Sequence, residues 1–438
     1  MRVLKRKIED YIKAFYKDND NKILLIDGAR QVGKSFIIRK TCNELFKNYI
    51  EINLLEDSVN QKNYESIKSV KDFYSQLSAI YGERLNDNKD TIIFLDEIQV
   101  YPHLITILKF LNQDKKYRYI CSGSLLGVTL SNVDSVPMGA IEIKKMFPLD
   151  FEEFLIANGF NAFNEVYESF KEKKSLNKNI HDILMDYFKD YLIVGGLPEC
   201  VTNFLEKQNI NNLRTLQTNI TNFYINDATK YDATNKLEAK LIYEYIPSVM
   251  ENKKNRVVIK DIKNKPGYTF KYYEKSFEYL ISSGIAINVN AISNPKFPLI
   301  ESSKKTLLKL YLNDIGLLTN ILFKENIAAI KNDNLSINLG NVYETVVAEE
   351  LHTRHENLYY YDSKKNGEVD FLIDDYNNLS ILPIEVKSGK NFTTHSAIDK
   401  LIDNKDYSIE KGIILSNDIE IKEIDNRIYL PVYFSIYL

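Results

Sequence analysis

The chain has 438 residues, too many for a single core and in the range of two to four domains at roughly 100–200 residues each. Hydrophobic residues make up 44% and charged residues 27%, which excludes a disordered or collagen-like chain. The formal net charge of −3 excludes a global basic field, although 57 Lys and Arg leave room for one basic face. Apolar runs such as Ile23-Leu24-Leu25-Ile26 and Ile92-Ile93-Phe94-Leu95 are far shorter than the 18 or so residues that span a bilayer, so no membrane segment is expected. No apolar stretch follows the basic start Met1-Arg2-Val3-Leu4-Lys5-Arg6-Lys7, so no secretory signal is expected. Cys42, Cys121 and Cys200 lack a metal-ligand or disulfide spacing, and five histidines weaken a histidine metal site; a cytoplasmic protein is expected.

From about 20 to 150, short apolar runs alternate with amphipathic stretches, the pattern of a parallel sheet with crossover helices. Strands are expected at 23–27, 49–54, 91–96, 117–122 and 141–144. From about 151 to 235 the pattern turns helical, broken by the solvated run Lys171-Glu172-Lys173-Lys174-Ser175. Between 236 and 325, a helix at 237–250 leads to Val257-Val258-Ile259 and the turn signal Lys265-Pro266-Gly267. An aromatic helix at 272–282 then ends at Gly284, and strands follow at 285–292 and 307–312. Helix, turn, helix and a two-strand ribbon is the outline of a winged helix. From 326 to 438 the α/β pattern returns, with strands at 358–361, 369–373, 381–387 and 412–415. The fold class expected is thus α/β and multidomain, with borders near 150, 235 and 325.

Gly28-Ala29-Arg30-Gln31-Val32-Gly33-Lys34-Ser35 matches G-x-x-x-x-G-K-[ST] between a buried-strand pattern and a helix pattern. Glycines let backbone N–H groups turn inward to cradle phosphates beside the positive end of the next helix. Lys34 then reaches the β- and γ-phosphates, and the Ser35 hydroxyl ligates Mg²⁺. The run Thr91-Ile92-Ile93-Phe94-Leu95-Asp96-Glu97 delivers an acidic pair at a strand's end. Asp96 is expected beside the metal, with Glu97 polarising the attacking water. Ser122-Gly123-Ser124 closes the following strand, where the Ser124 hydroxyl could sense the γ-phosphate.

These motifs resemble those of prokaryotic AAA-type ATPases that join a P-loop core to a C-terminal domain of unknown function (the DUF4143 type). Further marks are Leu125-Leu126, Ile98-Gln99, Phe147-Pro148-Leu149-Asp150-Phe151-Glu152-Glu153-Phe154 and Tyr191-Leu192-Ile193-Val194-Gly195-Gly196-Leu197-Pro198-Glu199. Lys309-Leu310-Tyr311-Leu312-Asn313-Asp314-Ile315-Gly316-Leu317-Leu318, Glu368-Val369-Asp370-Phe371 and Pro383-Ile384-Glu385-Val386-Lys387-Ser388 complete the set. The resemblance implies an ASCE-type sheet with an extra strand between the two Walker strands, a helical lid, a winged helix and a restriction-endonuclease-like tail. It leaves open a homo-oligomer, since such ATPases commonly work as rings. Where many relatives carry a basic residue past the sensor strand, this chain reads Pro137-Met138-Gly139-Ala140. A trans-acting arginine finger at that place is therefore not expected; Arg118 lies near the core and Arg214 in the helical region, but nothing in the sequence assigns either that role.

In the tail, Asp370 and Glu385-Val386-Lys387 form D-x14-E-x-K. Period-2 geometry puts Glu385 and Lys387 on one strand face, with Asp370 beside Glu385 if the strands pair. Such carboxylates hold a divalent cation, Lys387 can orient water, and Glu344 in a helical run upstream could complete the metal set. The set resembles the PD-(D/E)xK nuclease core, with Val369 in place of its proline. Tyr272, Tyr273, Phe277 and Tyr279 have the spacing of core residues, while Lys260, Lys263, Lys265, Lys271 and Lys275 make a stretch that could meet DNA phosphates. The leading expectation is an ATP-hydrolysing switch acting on nucleic acid, its tail binding or cutting DNA. The alternative is an ATP-gated docking protein for a protein partner, with a catalytically idle tail.

Overall fold

The computed structural model describes residues 3–18, 22–57, 64–85, 90–124, 139–231, 236–249, 256–263, 267–332, 339–388, 396–407 and 409–438. Leu125-Leu126, Pro137-Met138 and Lys265-Pro266 lie outside the described residues. The chain divides into two compact units, one of residues 3–147 with 282–284 and the other of 148–281 with 285–438.

In the first unit, β1 (Ile23–Asp27), β2 (Asn48–Asn53), β3 (Thr91–Asp96), β4 (Arg118–Gly123) and β5 (Ile141–Lys145) form a parallel sheet in the order β2-β3-β4-β1-β5. Every residue of β1 and β3 is buried, because helices cover both faces of a parallel sheet; that is why these strands read as unbroken apolar runs. The connecting helices are α1 (Lys7–Asp18), α2 (Lys34–Leu45), α3 (Val70–Tyr81) and α4 (His103–Asp114). Ser69 caps α3 by accepting the Asp72 N–H at 3.2 Å, and Leu104, Ile105, Leu108 and Leu111 of α4 fill the core against β3 and β4. As the resemblance implied, an extra strand separates the two Walker strands: β4 lies between β1 and β3. All strands run the same way, so the C-terminal ends of β1, β4 and β3 share one edge, where open α/β sheets bind ligands.

The second unit begins with α5 (Phe151–Ala157), α6 (Phe163–Glu172), α7 (Lys178–Val194), α8 (Pro198–Lys207), α9 (Ile210–Tyr231), α10 (Lys236–Val249) and α11 (Phe270–Ser282). An eight-stranded mixed sheet follows. Its strands are β6 (Ala286–Ile292), β7 (Ser303–Leu312), β8 (Leu358–Ser363), β9 (Gly367–Asp375), β10 (Ser380–Val386), β11 (Gly412–Ser416), β12 (Lys422–Ile424) and β13 (Arg427–Pro431), in the order β12-β13-β11-β10-β9-β8-β6-β7. Helices α12 (Ile315–Phe323), α13 (Gly340–Arg354) and α14 (Ser396–Ile402) complete the unit.

The expected two-strand ribbon forms, but it is not a separate wing. β6 pairs antiparallel with β7 and parallel with β8, so the sheet is continuous across the border expected near 325. The reason is burial: Ala286, Ile287, Val289, Ala291 and Ile292 are all buried, more apolar cover than a free ribbon supplies. Val257-Val258-Ile259 is not a strand. Val257 donates its N–H to the Leu308 carbonyl at 3.0 Å, and a single helical turn, Ile259–Ile262, follows. Tyr273, Phe277 and Tyr279 of α11 are core residues, while Tyr272 is exposed.

Three of the sequence marks meet around one buried carboxylate. Asp314 caps α12 by accepting the Leu317 N–H at 3.1 Å, and its other oxygen accepts the N–H groups of Gly196 (2.7 Å) and Leu197 (3.1 Å). Burial raises the Asp314 pKa to about 6, with those backbone donors opposing the shift. Gly195 ends α7 at φ 73°, ψ −170°, a conformation reserved to glycine. Gly196 abuts Leu149, whose N–H donates to the Gly196 carbonyl at 2.7 Å and whose own carbonyl accepts the Tyr191 hydroxyl at 2.7 Å. Asp150 and Glu153 then form a reciprocal capping box at the start of α5.

Candidate functional site

The phosphate-binding motif occupies the turn from β1 into α2. Gly33 takes φ 93° and Gln31 φ 66°, so the loop turns its backbone inward as a cradle requires. At Gly28 a Cβ would overlap the Met146 carbonyl, which is why no larger residue fits. Ala29 and Val32 are buried against the sheet, whereas Gln31 is exposed. Lys34 is buried and curls back on the loop, donating to the carbonyls of Gly28 and Ala29 at 2.8 Å each. Burial lowers its pKa, opposed by the carboxylates of Glu97, Asp27 and Asp96.

Asp96, at the end of β3, accepts the Ser35 hydroxyl at 3.0 Å and the Ser122 hydroxyl on the same oxygen. Burial raises its pKa, and the two hydroxyls offset part of that rise. A hydroxyl and a carboxylate side by side fit Mg²⁺, a hard cation that takes oxygen ligands and keeps several waters. Glu97 follows in the left-handed region at φ 58°, which turns its side chain out of the strand's alternation. Its carboxylate accepts the Gln99 amide and the Ser124 hydroxyl, the latter at 3.4 Å. Ser124 also accepts the Arg30 guanidinium (3.4 Å) and the Gln99 amide (3.2 Å), and its N–H donates to the Gln99 oxygen at 3.3 Å. The fold thus gathers Arg30, Lys34, Ser35, Asp96, Glu97 and Ser124 at one strand edge.

Two members of this site had no role in the sequence reading. Gln99 stands two residues after Glu97 in the quoted run and ties Glu97 to Ser124. Arg6, far away in sequence, is buried and donates to the carbonyls of Val32 (3.0 Å) and Phe147 (2.7 Å), fixing the loop from behind. Gln99 was open to discovery because of its nearness to the acidic pair; Arg6 carries no local signal.

Arg118 and Arg214 each have partners within their own unit. Arg118 starts β4, at the opposite edge of the sheet from the phosphate loop, and donates to the Tyr16 carbonyl at 3.1 Å. Arg214 is buried in the second unit and donates to Ile193 O (3.2 Å), Gln217 Oε1 (2.9 Å), Thr319 Oγ1 (3.3 Å) and Gly316 O (3.4 Å). Burial lowers its pKa to about 10. It is a structural residue.

In the tail, β9 and β10 pair antiparallel with Ile384 opposite Phe371, a register that carries Glu385 and Asp370 to facing positions. Asp370 accepts the Val386 N–H at 2.8 Å, and Lys387 donates to Glu385 at 2.6 Å. Glu344 reaches the same place from α13 and accepts the Tyr311 hydroxyl at 3.2 Å. Burial, with the Asp370 charge next in size, holds both Glu344 and Glu385 above the usual carboxylate range. The structure thus brings Glu344, Asp370, Glu385 and Lys387 together. It adds two residues the sequence reading passed over, Glu368 of β9 and the fully buried Lys309 of β7, whose Nζ lies 2.6 Å from Glu368 Oε1. Among the described residues no group of three or more His, Cys, Asp or Glu is placed to hold a metal ion. Two of the cluster's carboxylates, Glu368 and Glu385, are paired with Lys309 and Lys387.

The candidate DNA lysines are also partly engaged. Lys263 pairs with the buried Glu238 and donates to the Tyr272 hydroxyl at 3.2 Å. No helix of the described residues is long and apolar enough to cross a membrane.

Comparison with known families matches an AAA domain over residues 20–155, a domain of unknown function, DUF8612, over 185–327, and a domain of unknown function, DUF4143, over 339–434. The AAA domain spans the parallel sheet with its phosphate loop and makes the chain an ATPase, a nucleotide-binding and nucleotide-hydrolysing protein. None of the curated proteins matches. Among solved structures the chain is similar to the Walker-type ATPase of Pyrococcus abyssi, at 13% identity over 73% of this chain and 96% of that one, with a TM-score of 0.44. It is also similar to the ORC1 protein of Aeropyrum pernix solved in complex with DNA, at 13% identity over 75% and 94%, with a TM-score of 0.31. A third is Cdc6p of Pyrobaculum aerophilum, at 11% identity over 76% and 96%, with a TM-score of 0.28.

Proposed function

We propose that this ATPase hydrolyses ATP with Mg²⁺ and uses the cycle to switch its action on nucleic acid. The observation that carries the hydrolytic reading is the contact between Ser35 and Asp96, 3.0 Å apart, with Glu97 beside them. Lys34 leaves the loop carbonyls for the β- and γ-phosphate oxygens, while the backbone of residues 28–33 cradles them. Ser35 and Asp96 would hold Mg²⁺, which would supply neutralisation of the phosphate charge when bound. Glu97 accepts a proton from the attacking water, Gln99 orients the Glu97 carboxylate, and Ser124 offers a hydroxyl to the γ-phosphate. Lys34→Ala should lose ATP binding; unchanged affinity in that variant would sink the phosphate-loop assignment.

The nucleic-acid part rests on the restriction-endonuclease-like arrangement of Glu344, Asp370, Glu385 and Lys387. Tight, salt-sensitive retardation of DNA by the full chain supports it; no retardation at moderate salt removes it. A second reading, an ATP-gated docking protein with an idle tail, is favoured by Lys309 within the carboxylate cluster and by the pairing of Lys263 with Glu238. Under that reading DNA does not bind, and ATP state changes the affinity for a protein partner.

A further inference from the structure

The tail's carboxylates have cations of their own. Lys309 lies on β7, separated from β9 by β8 and β6, with a side chain that is 0% exposed. Its ammonium is 2.6 Å from Glu368 and 3.9 Å from Glu344, and stands 5.1 Å from the centroid of the Tyr360 ring. Lys387 covers Glu385, and the remaining acid, Asp370, accepts a backbone N–H. A divalent cation needs carboxylate oxygens free to converge on it, and an ammonium between two of the acids repels it.

The two lysines differ in what they can do. Lys387 is 26% exposed, so its flexible stem can carry the charge to water and uncover Glu385. Lys309 has no such path, because leaving Glu368 and Glu344 would strand an ammonium in the apolar packing of β6 to β8. Its position is fixed by the fold: β7 alternates, and Lys309 and Tyr311 point to the same face as the acids they contact.

We propose that Lys309 is the built-in counter-ion of this cluster, standing where a restriction-endonuclease-like site would bind a divalent cation and closing the tail to Mg²⁺ and Mn²⁺. The inference rests on the nuclease-like reading of the tail for the identity of the excluded ion and is independent of the nucleotide site. It assigns the tail a binding role and no metal-dependent cleavage.

The test is a Mn²⁺ titration of the full chain without nucleotide, following free Mn²⁺ by electron paramagnetic resonance. An Asp96→Asn background silences the nucleotide site. This parent should show no stoichiometric uptake below the millimolar range. Uptake of one Mn²⁺ per chain that Glu385→Gln abolishes would overturn the inference, while leaving the nuclease-like reading standing. Replacing the buried pair together, Lys309→Met with Glu368→Gln, keeps Glu344, Asp370 and Glu385 and removes no net charge. That variant should bind Mn²⁺ at least tenfold more tightly than the parent, and the site should vanish on adding Glu385→Gln. A folded double variant with no gain would show that Lys309 is not what excludes the cation. If the double variant does not fold, the parent titration decides alone.

Discussion

Gly195→Ala is expected to destabilise the second unit severely, although the glycine lies in no catalytic motif. At φ 73°, ψ −170° an alanine would sit in a region open to glycine alone, at about 1–3 kcal/mol. Its Cβ would also overlap the Asp314 carboxylate, with Asp314 Cγ only 2.7 Å away, and overpacking of a fixed core adds about 1–3 kcal/mol. The carboxylate cannot retreat freely, because it holds the N–H groups of Gly196, Leu197 and Leu317. The total is about 4 kcal/mol. Gly159→Ala provides the control: φ is also positive, at 80°, but nothing lies within 4 Å of the added Cβ, so about 1 kcal/mol is expected. Urea unfolding of the two variants against wild type measures the difference. A Gly195→Ala loss within 1 kcal/mol of the Gly159→Ala loss would refute the steric argument and with it the assignment of Asp314 as the fixed centre of this turn.

Two more outcomes are expected. Gln99→Leu keeps the volume but removes the donor to Glu97 and the acceptor of Ser124 N–H; with a bond to a charged group contributing about 1.5–3 kcal/mol, kcat for ATP should fall about 10- to 100-fold. KM should change far less, and an effect confined to KM would count against an orienting role. The second concerns pH. Asp314 titrates at about 6 in the fold, above its ordinary 3.8, so the folded state holds the proton longer than the unfolded one. Its contribution therefore falls as pH rises through 6. Relative to Asp314→Asn, wild type should gain roughly 1 kcal/mol of stability when pH drops from 7.5 to 5. A constant gap across that range, or one of opposite sign, contradicts the burial argument.

Much of the nucleotide site was legible because its chemistry is local. The phosphate loop, Asp96 and Glu97 each sit where a buried strand stops, and continuous apolar runs mark such strands in any parallel sheet. That Glu385 and Lys387 share one strand face followed from period-2 geometry, with Asp370 beside Glu385 on the condition that the strands pair, and β9 and β10 do pair. Long-range placement was not legible. Nothing near Lys309 in sequence signals that β7 joins the tail's sheet, because that follows from β6 pairing with β8 across about 65 intervening residues. That the β6–β7 ribbon continues into the tail's sheet was hidden for the same reason, since a short apolar strand reads alike at a sheet's edge and in its interior. Arg214 is a further case: its partners are carbonyls and side chains brought in by α7 and α12, which nothing near it in sequence signals.

The most direct test of the catalytic account is Mg²⁺-dependent ATP turnover by Glu97→Gln, measured beside ATP binding. The amide keeps the shape of the side chain and removes the base. Binding within about threefold of wild type with turnover reduced at least 100-fold is the predicted result. Full turnover in Glu97→Gln would contradict the assignment of Glu97 as the group that activates water.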